Sequence, residues 1–300
     1  NNNTTSVSLN WTPSGSATAW TIQYKPSSET SWSNATTINV TNDTTYSLTG
    51  LQIASSYDWR IKTVCSPTDQ SPWSNPSSFS TLSLTSSIPF ISNFDDNNQN
   101  SNYWIINNGT QTNKWFIGNL GGRTGNGLYI SDDANGSTLN YNLSNSSIVF
   151  ASTRLQFGNA KNYALSFDWK AYGESSSYDF INVYLIPTYV TLVPGTLPSS
   201  SYALATNINL DSTWKTKRIT IPGASLNDSI RNLVFVWDND GSGGTQPPAS
   251  IDNIKITDCV APSGLLVDAL TITSSTATIR WKAGNAETAW NVEYKLQNDS

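Results

Sequence analysis

Apolar and polar residues alternate along this chain in short runs. In "SVSLNW" Val7, Leu9 and Trp11 share one phase, and in "AWTIQY" so do Trp20, Ile22 and Tyr24. "YDWRIKTVC" carries Tyr57, Trp59, Ile61, Thr63 and Cys65 at the same spacing. A period of two predicts strands with one face buried. "TTINV" and "TYSLTGL" add two more runs, and "PWSNPSSFST" closes the first block. A longer block follows, with strands predicted at "PFISNF", "KWFIG", "GLYISDD", "SSIVFAS", "YALSFDWKAY", "DFINVYLIPT", "WKTKRITIP", "RNLVFVWDND" and "ASIDNIKI". Turn residues separate them, and no stretch holds an apolar period of 3.6. The expected class is all-β, and about nine to eleven strands in the longer block suit a two-sheet jelly roll.

The ends of the chain repeat each other. Trp11, Thr18, Ala19, Trp20, Tyr24 and Lys25 recur as Trp281, Thr288, Ala289, Trp290, Tyr294 and Lys295, always 270 residues on. Such self-similarity marks an array of modules. Three units are expected: a sandwich lacking its first strand over 1–84, the jelly roll over 85–258, and the first three strands of a second sandwich over 259–300. On this reading the chain is a window on a longer protein.

Composition narrows the chemistry. With no histidine, Ser-His-Asp and Cys-His catalysis and His-ligated zinc or haem are excluded. A net charge of −5 lacks the basic surface that nucleic acid demands. No apolar run reaches the ~20 residues that span a bilayer. The two cysteines, Cys65 and Cys259, fall in different modules by the repeat. They are expected not to pair with each other; each would bridge a partner within its own module, in an oxidising compartment.

Acidic residues stand in phase with apolar strand positions. Asp252 shares its phase with Ile254 and Ile256, Asp132 with Leu128 and Ile130, and Asp95 with Ile91 and Asn93. Carboxylates drawn into an apolar layer need compensation. Calcium, which takes six to eight oxygens in loose geometry, would supply it; the alternative is that these acids cap turns. Asp168, Glu174 and Asp179 could be a paired-carboxylate glycosidase site, but are read as solvated loop acids beside Lys170. "GNLGGRTGNG" and "DNDGSGGTQPP" lack the Gly-Lys-Ser/Thr ending of a phosphate loop and are read as β-loops. Among Trp104, Trp115, Trp169, Trp214 and Trp237, Trp104 is the candidate for stacking on a sugar.

Two resemblances add to this reading. Trp11, Trp20-x-x-x-Tyr24 and "LTGLQIASSYDWRIKTVC", with Tyr57 at a tyrosine corner, make residues 1–84 resemble a fibronectin type III module. "CVAPSGLLV" looks like the start of the next copy. "NGTQTNKWFIG", "LSFDWKAYGES", "VYLIPT" and "LVFVWDNDGSGGTQPPASIDNIKI" resemble the MAM-like jelly rolls of Bacteroidota surface proteins, related to cleaved-adhesin and choice-of-anchor modules. The resemblance implies export, often by type IX secretion, and a structural or adhesive role without catalysis. It implies metal-ligating acids at "FD" 94–95 and "IDN" 251–253, although the family more often has Glu where Asp95 stands. Asp43-Thr44-Thr45, Asp211-Ser212-Thr213 and Asp228-Ser229-Ile230 resemble the Bacteroidota O-glycosylation signal, which points to Thr44, Ser212 and Ser229. The expected function is a non-catalytic stretch of an extracellular adhesin or surface protein. Its partners would be neighbouring modules and cell-surface glycans or proteins. The alternative is the accessory carbohydrate-binding region of a large secreted peptidase or glycoside hydrolase.

Overall fold

A computed structural model describes residues 3–13, 15–160, 162–175, 178–226, 228–258, 262–283 and 289–295. The chain is all-β apart from short helical turns. The first module contains β1 (Ser6–Asn10), β2 (Ala19–Pro26), β3 (Thr36–Thr41) and β4 (Thr45–Thr49). It continues with β5 (Ser56–Ser66), β6 (Asp69–Gln70) and β7 (Ser77–Ser80). β1 pairs antiparallel with β4, and a second sheet runs β3-β2-β5-β6 with β7 also on β5. Between them lie Val7, Leu9, Ile22, Val40, Leu48, Leu51 and Tyr57. Ile22 stands opposite Ile38 on one side and Ile61 on the other, and is fully buried. Burial of that side chain stabilises by about 1.5–3 kcal/mol. The Tyr57 hydroxyl accepts from the Gln52 amide at 2.9 Å, which ties the turn before β5 to its own strand.

The longer block is a two-sheet sandwich. It opens with β8 (Thr85–Ser87), β9 (Phe90–Ser92), the helix α1 (Asn97–Tyr103), β10 (Trp104–Asn107), β11 (Lys114–Gly118) and β12 (Gly127–Ser131). Then come β13 (Ser147–Gln156), β14 (Asn162–Ala171), β15 (Phe180–Pro187) and β16 (Ala203–Ile208). β17 (Asp211–Pro222), β18 (Ile230–Asn239) and β19 (Ser250–Asp258) complete it. One sheet runs β10-β13-β18-β15-β16, with β8 parallel to β13; the other runs β11-β12-β19-β14-β17, with β9 on β19. Trp115, Phe167, Phe235 and Trp237 fill the space between the sheets. The helix has no buried residue, so no apolar period betrays it; Asp96 caps it by accepting from the Asn98 and Gln99 amides.

β9 lies antiparallel to β19, with Phe90 opposite Ile256 and Ser92 opposite Ile254. The chain therefore enters and leaves this sandwich at one end. The turns that follow β14 and β18, and the one that precedes β19, gather at the other.

Beyond it, β20 (Ser263–Asp268) and β21 (Thr278–Lys282) form an antiparallel pair. Trp281 meets Trp290 edge-on at 5.6 Å, as Trp11 meets Trp20 at 5.6 Å. The third strand expected here does not form: residues 289–295 carry no regular structure. In the first copy β2 is held on both sides, by β3 and β5, whereas among the described residues no strand pairs with 289–295. Cys65 is a free, exposed thiol, and Cys259 lies outside the described residues.

Candidate functional site

The Gly-rich segment between β11 and β12 closes over two carboxylates. Asp252, on β19, is wholly buried. Its Oδ2 accepts from the Arg123 amide at 2.9 Å and the Thr124 amide at 3.4 Å, and its Oδ1 from the Asn253 amide at 2.6 Å. Asp95 accepts from the Asn126 amide at 2.7 Å and from Asn93 Nδ2 at 3.0 Å. Glycine is required here: a Cβ on Gly125, at φ +67°, would collide with the Asp95 carboxylate. Burial pushes the Asp252 carboxyl up, the amide bonds counter this, and the charge of Asp95 adds to the rise.

A third carboxylate braces the same loop from the side. Asp168 accepts from Thr216 Oγ1 at 2.6 Å, Asn253 Nδ2 at 3.0 Å and Arg123 Nη1 at 3.1 Å. Burial alone would raise its carboxyl; those hydroxyl and amide bonds and the guanidinium outweigh burial and hold it below the usual range. Asp168 thus joins β14, β17, β19 and the loop. The reading of Asp168 and Asp179 as solvated loop acids is wrong: they are 9% and 2% exposed. Asp168 sits within a strand, on the opposite phase from Phe167, and sequence shows nothing of the Arg123 that reaches it from 45 residues away.

The expected three-acid set splits. Asp95 and Asp252 come together, but Asp132 does not join them. The pairing of Leu128 with Ile251 sets Asp252 opposite Gly127. Asp132 stands five residues further along, about 16 Å away at ~3.3 Å per residue. It is exposed and accepts from Thr138 Oγ1 at 2.9 Å. Asp95 reaches the site from the solvent phase: Phe90, Ser92 and Phe94 are buried, while Ile91 is 59% exposed. The donors that do converge, two carboxylates repelling one another beneath a loop with its own carbonyls, are the hard oxygen chemistry calcium takes. Five hydrogen bonds already compensate these carboxylates, so the turn-cap reading is built into the same geometry.

Trp104 is no stacking platform. It is 2% exposed, packs on Phe94 and Phe235, and donates its indole N–H to Ser92 Oγ at 3.2 Å. Trp115 and Trp237 are fully buried, whereas Trp214 is half-buried beneath the Lys170 ammonium. The three glycosylation candidates differ. Ser212 is exposed at the start of β17, beside an Asx turn in which Asp211 accepts from the Thr213 amide and hydroxyl. Thr44 is half-buried beside the matching Asp43 turn. Ser229 is half-buried, its hydroxyl donating to the Leu226 carbonyl at 2.6 Å.

Residues 1–80 match the family model described as Fibronectin type III domain. No curated protein matches this chain. Among solved structures, the FN5 domain of Drosophila Lar is 17% identical, with 27% of this chain and 86% of that one covered and a TM-score of 0.24. The K1 cleaved adhesin domain of Lys-gingipain from Porphyromonas gingivalis W83 is 14% identical, covering 56% and 97%, with a TM-score of 0.33. The CBM22-1 xylan-binding domain from Paenibacillus barcinonensis is 11% identical, covering 56% and 92%, with a TM-score of 0.32.

Proposed function

We propose that this chain is a non-catalytic segment of a modular extracellular adhesin or surface protein, in which the jelly roll is a pendant head. The observation that carries this is the pairing of β9 with β19. A module entered and left at one end can hang from a line of sandwiches and offer its opposite end to a partner. The fibronectin type III match over residues 1–80 supports the modular setting. No helix among the described residues is long and apolar enough to cross a membrane. The accessory carbohydrate-binding reading draws support from Tyr172 and Tyr178, 39% and 48% exposed near the free end, since bare rings stack on sugars.

The test is binding of the purified chain, on a surface, to a glycan array and to cells. Adhesion lost on changing the free end supports the head. Retention of one class of sugar by the same surface favours the accessory reading. Binding confined to residues 1–84 would overturn both.

Within this reading Asp95 and Asp252, without Asp132, hold a calcium that fastens the first and last strands of the head. An ion that binds only the folded state stabilises it by about 2.7 kcal/mol at a hundredfold excess over Kd. Chelation is then expected to lower the melting temperature of the chain, and Asp252→Ala to shrink the difference. A wild-type melt indifferent to calcium would leave these acids as loop caps. Ser212 is the best placed of the three candidates for O-linked sugar, which intact-mass analysis of native material tests.

A further inference from the structure

The outer face of the sheet built on β14 carries a trough away from both the free end and the Asp95–Asp252 loop. Tyr163, Leu165 and Phe167 of β14 are buried in the core, so the alternate positions, Ala164 and Ser166, face outward. Both side chains are short, and those on the two neighbouring strands are longer. Arg218 of β17 and Lys255 of β19 stand on either side of Ser166, and Thr220 and Thr257 stand on either side of Ala164. These residues line an open trough of about 320 Å³. Ile91 of β9 lies opposite Lys255 and is 59% exposed, which carries the row onto a fourth strand.

Charge sets this trough apart from the rest of the molecule. The chain has a net charge of −5, yet the two walls of the trough are topped by cations. Arg218 and Lys255 are exposed, and among the described residues neither forms an ion pair. Asp168, two residues beyond Ser166 on β14, is already paired with Arg123. Strands pack ~4.8 Å apart, so the backbones that carry the two cations are about 10 Å apart, with the short side chains of β14 between them. The floor and walls add the hydroxyls of Ser166, Thr220 and Thr257. The matching ligand is a narrow chain that bears both negative charge and hydroxyls. A peptide would find no main-chain partners here, because β14 is paired along both edges. A sugar chain needs none: its hydroxyls bond to side-chain hydroxyls, and its acidic groups form charge-assisted bonds with Arg218 and Lys255.

We propose that this trough binds an acidic polysaccharide, with its carboxylate or sulfate groups on Arg218 and Lys255 and its rings over Ala164 and Ser166. The proposal names a surface and a partner that the pendant-head reading leaves open, and it does not rest on that reading.

The experiment titrates the whole chain by calorimetry with polygalacturonate, dextran sulfate, neutral dextran and poly-glutamate, at low and at high salt. Polygalacturonate or dextran sulfate should bind, which distinguishes carboxylate from sulfate; neutral dextran should not, and salt should weaken the binding. Arg218→Gln and Lys255→Gln, both at exposed positions, should each weaken it at least about fivefold. Ala164→Phe, which fills the floor and leaves every charge in place, should do the same. Lys62→Gln, on β5 of the first module, and Tyr172→Ala, at the free end, should bind as the wild type does. Failure of both acidic polysaccharides to bind would overturn the proposal. So would undiminished binding in the three trough variants, or an equal loss in Lys62→Gln, which would mean diffuse attraction of a polyanion. Tighter binding of poly-glutamate would overturn it in favour of an acidic protein partner. Binding lost in Tyr172→Ala but kept in the trough variants would leave the free end as the binding surface and remove the trough.

Discussion

At the scale of single residues, Asp168 is the position whose change should report most sharply. Its folded carboxyl is held below the ordinary value of 3.8. A depressed acid contributes stability that is present above the unfolded value and is lost as pH falls through the folded one. Asp168→Ala also strands Thr216, Asn253 and Arg123 without their acceptor, so at pH 7 it should cost about 2–4 kcal/mol. Denaturant melts of wild type and variant at stepped pH should converge as pH falls through the folded value of Asp168. A gap that does not narrow as the carboxyl protonates would show that packing alone is at stake. The phase argument located Asp252 because Ile254 and Ile256, on its own face, are truly buried. It misplaced Asp95 because "FISNF" alternates on both faces. The bulk of Phe90 and Phe94 against the single Ile91 was the signal for which face turns inward. Trp104 looked unattached among polar neighbours because Phe94 and Phe235, which enclose it, come from the bend after β9 and from β18.

At the scale of elements, apolar runs located most strands, by alternation where one face is exposed, as in β17, and by a continuous apolar stretch where both are covered, as in β12 and β15. Among the described residues the jelly roll has twelve strands rather than about nine to eleven. The three that no predicted run covers, β8, β10 and β16, lack a readable alternation. Helix α1 was invisible to apolar spacing, while the Asp96 cap was the cue available. The β20–β21 pair leaves large apolar side chains uncovered among the described residues. Leu265, Leu266, Leu270 and Tyr294 are 70%, 67%, 98% and 93% exposed. Residues 259–300 expressed alone should therefore show no cooperative thermal transition, because a two-stranded ribbon cannot bury such a face. A sharp melt would refute this. Placing a copy of residues 259–270 directly before Asn1 restores the 270-residue phase and brings a second cysteine to the first module. A bridge to the free Cys65 should form, stabilising by about 2–5 kcal/mol, and would be seen by non-reducing peptide mapping. A reduced Cys65 in the oxidised, purified protein would reject the within-module pairing.

At the scale of the whole molecule, the jelly roll's connection at one end determines how it answers force. Tension between its flanks pulls β9 away from β19 at the end where both meet the rest of the chain. Antiparallel strands loaded in this way separate one pair after another. Only three residues of β9 pair with β19, and three of β8 with β13. Peeling should then halt at Asp95, whose carboxylate is gripped by the loop that also grips Asp252. Single-molecule stretching of the whole chain should therefore show an early release of residues 85–95, about 40 Å at ~3.5 Å per residue, before the sandwich opens. If Asp95 and Asp252 share a calcium, the second event should need more force in calcium than in chelator. Asp95→Ala should merge the two events, because nothing then stops the peel at the loop. Intact two-step traces in Asp95→Ala would show that the pairing of β12 with β19, rather than the carboxylate clamp, closes the module.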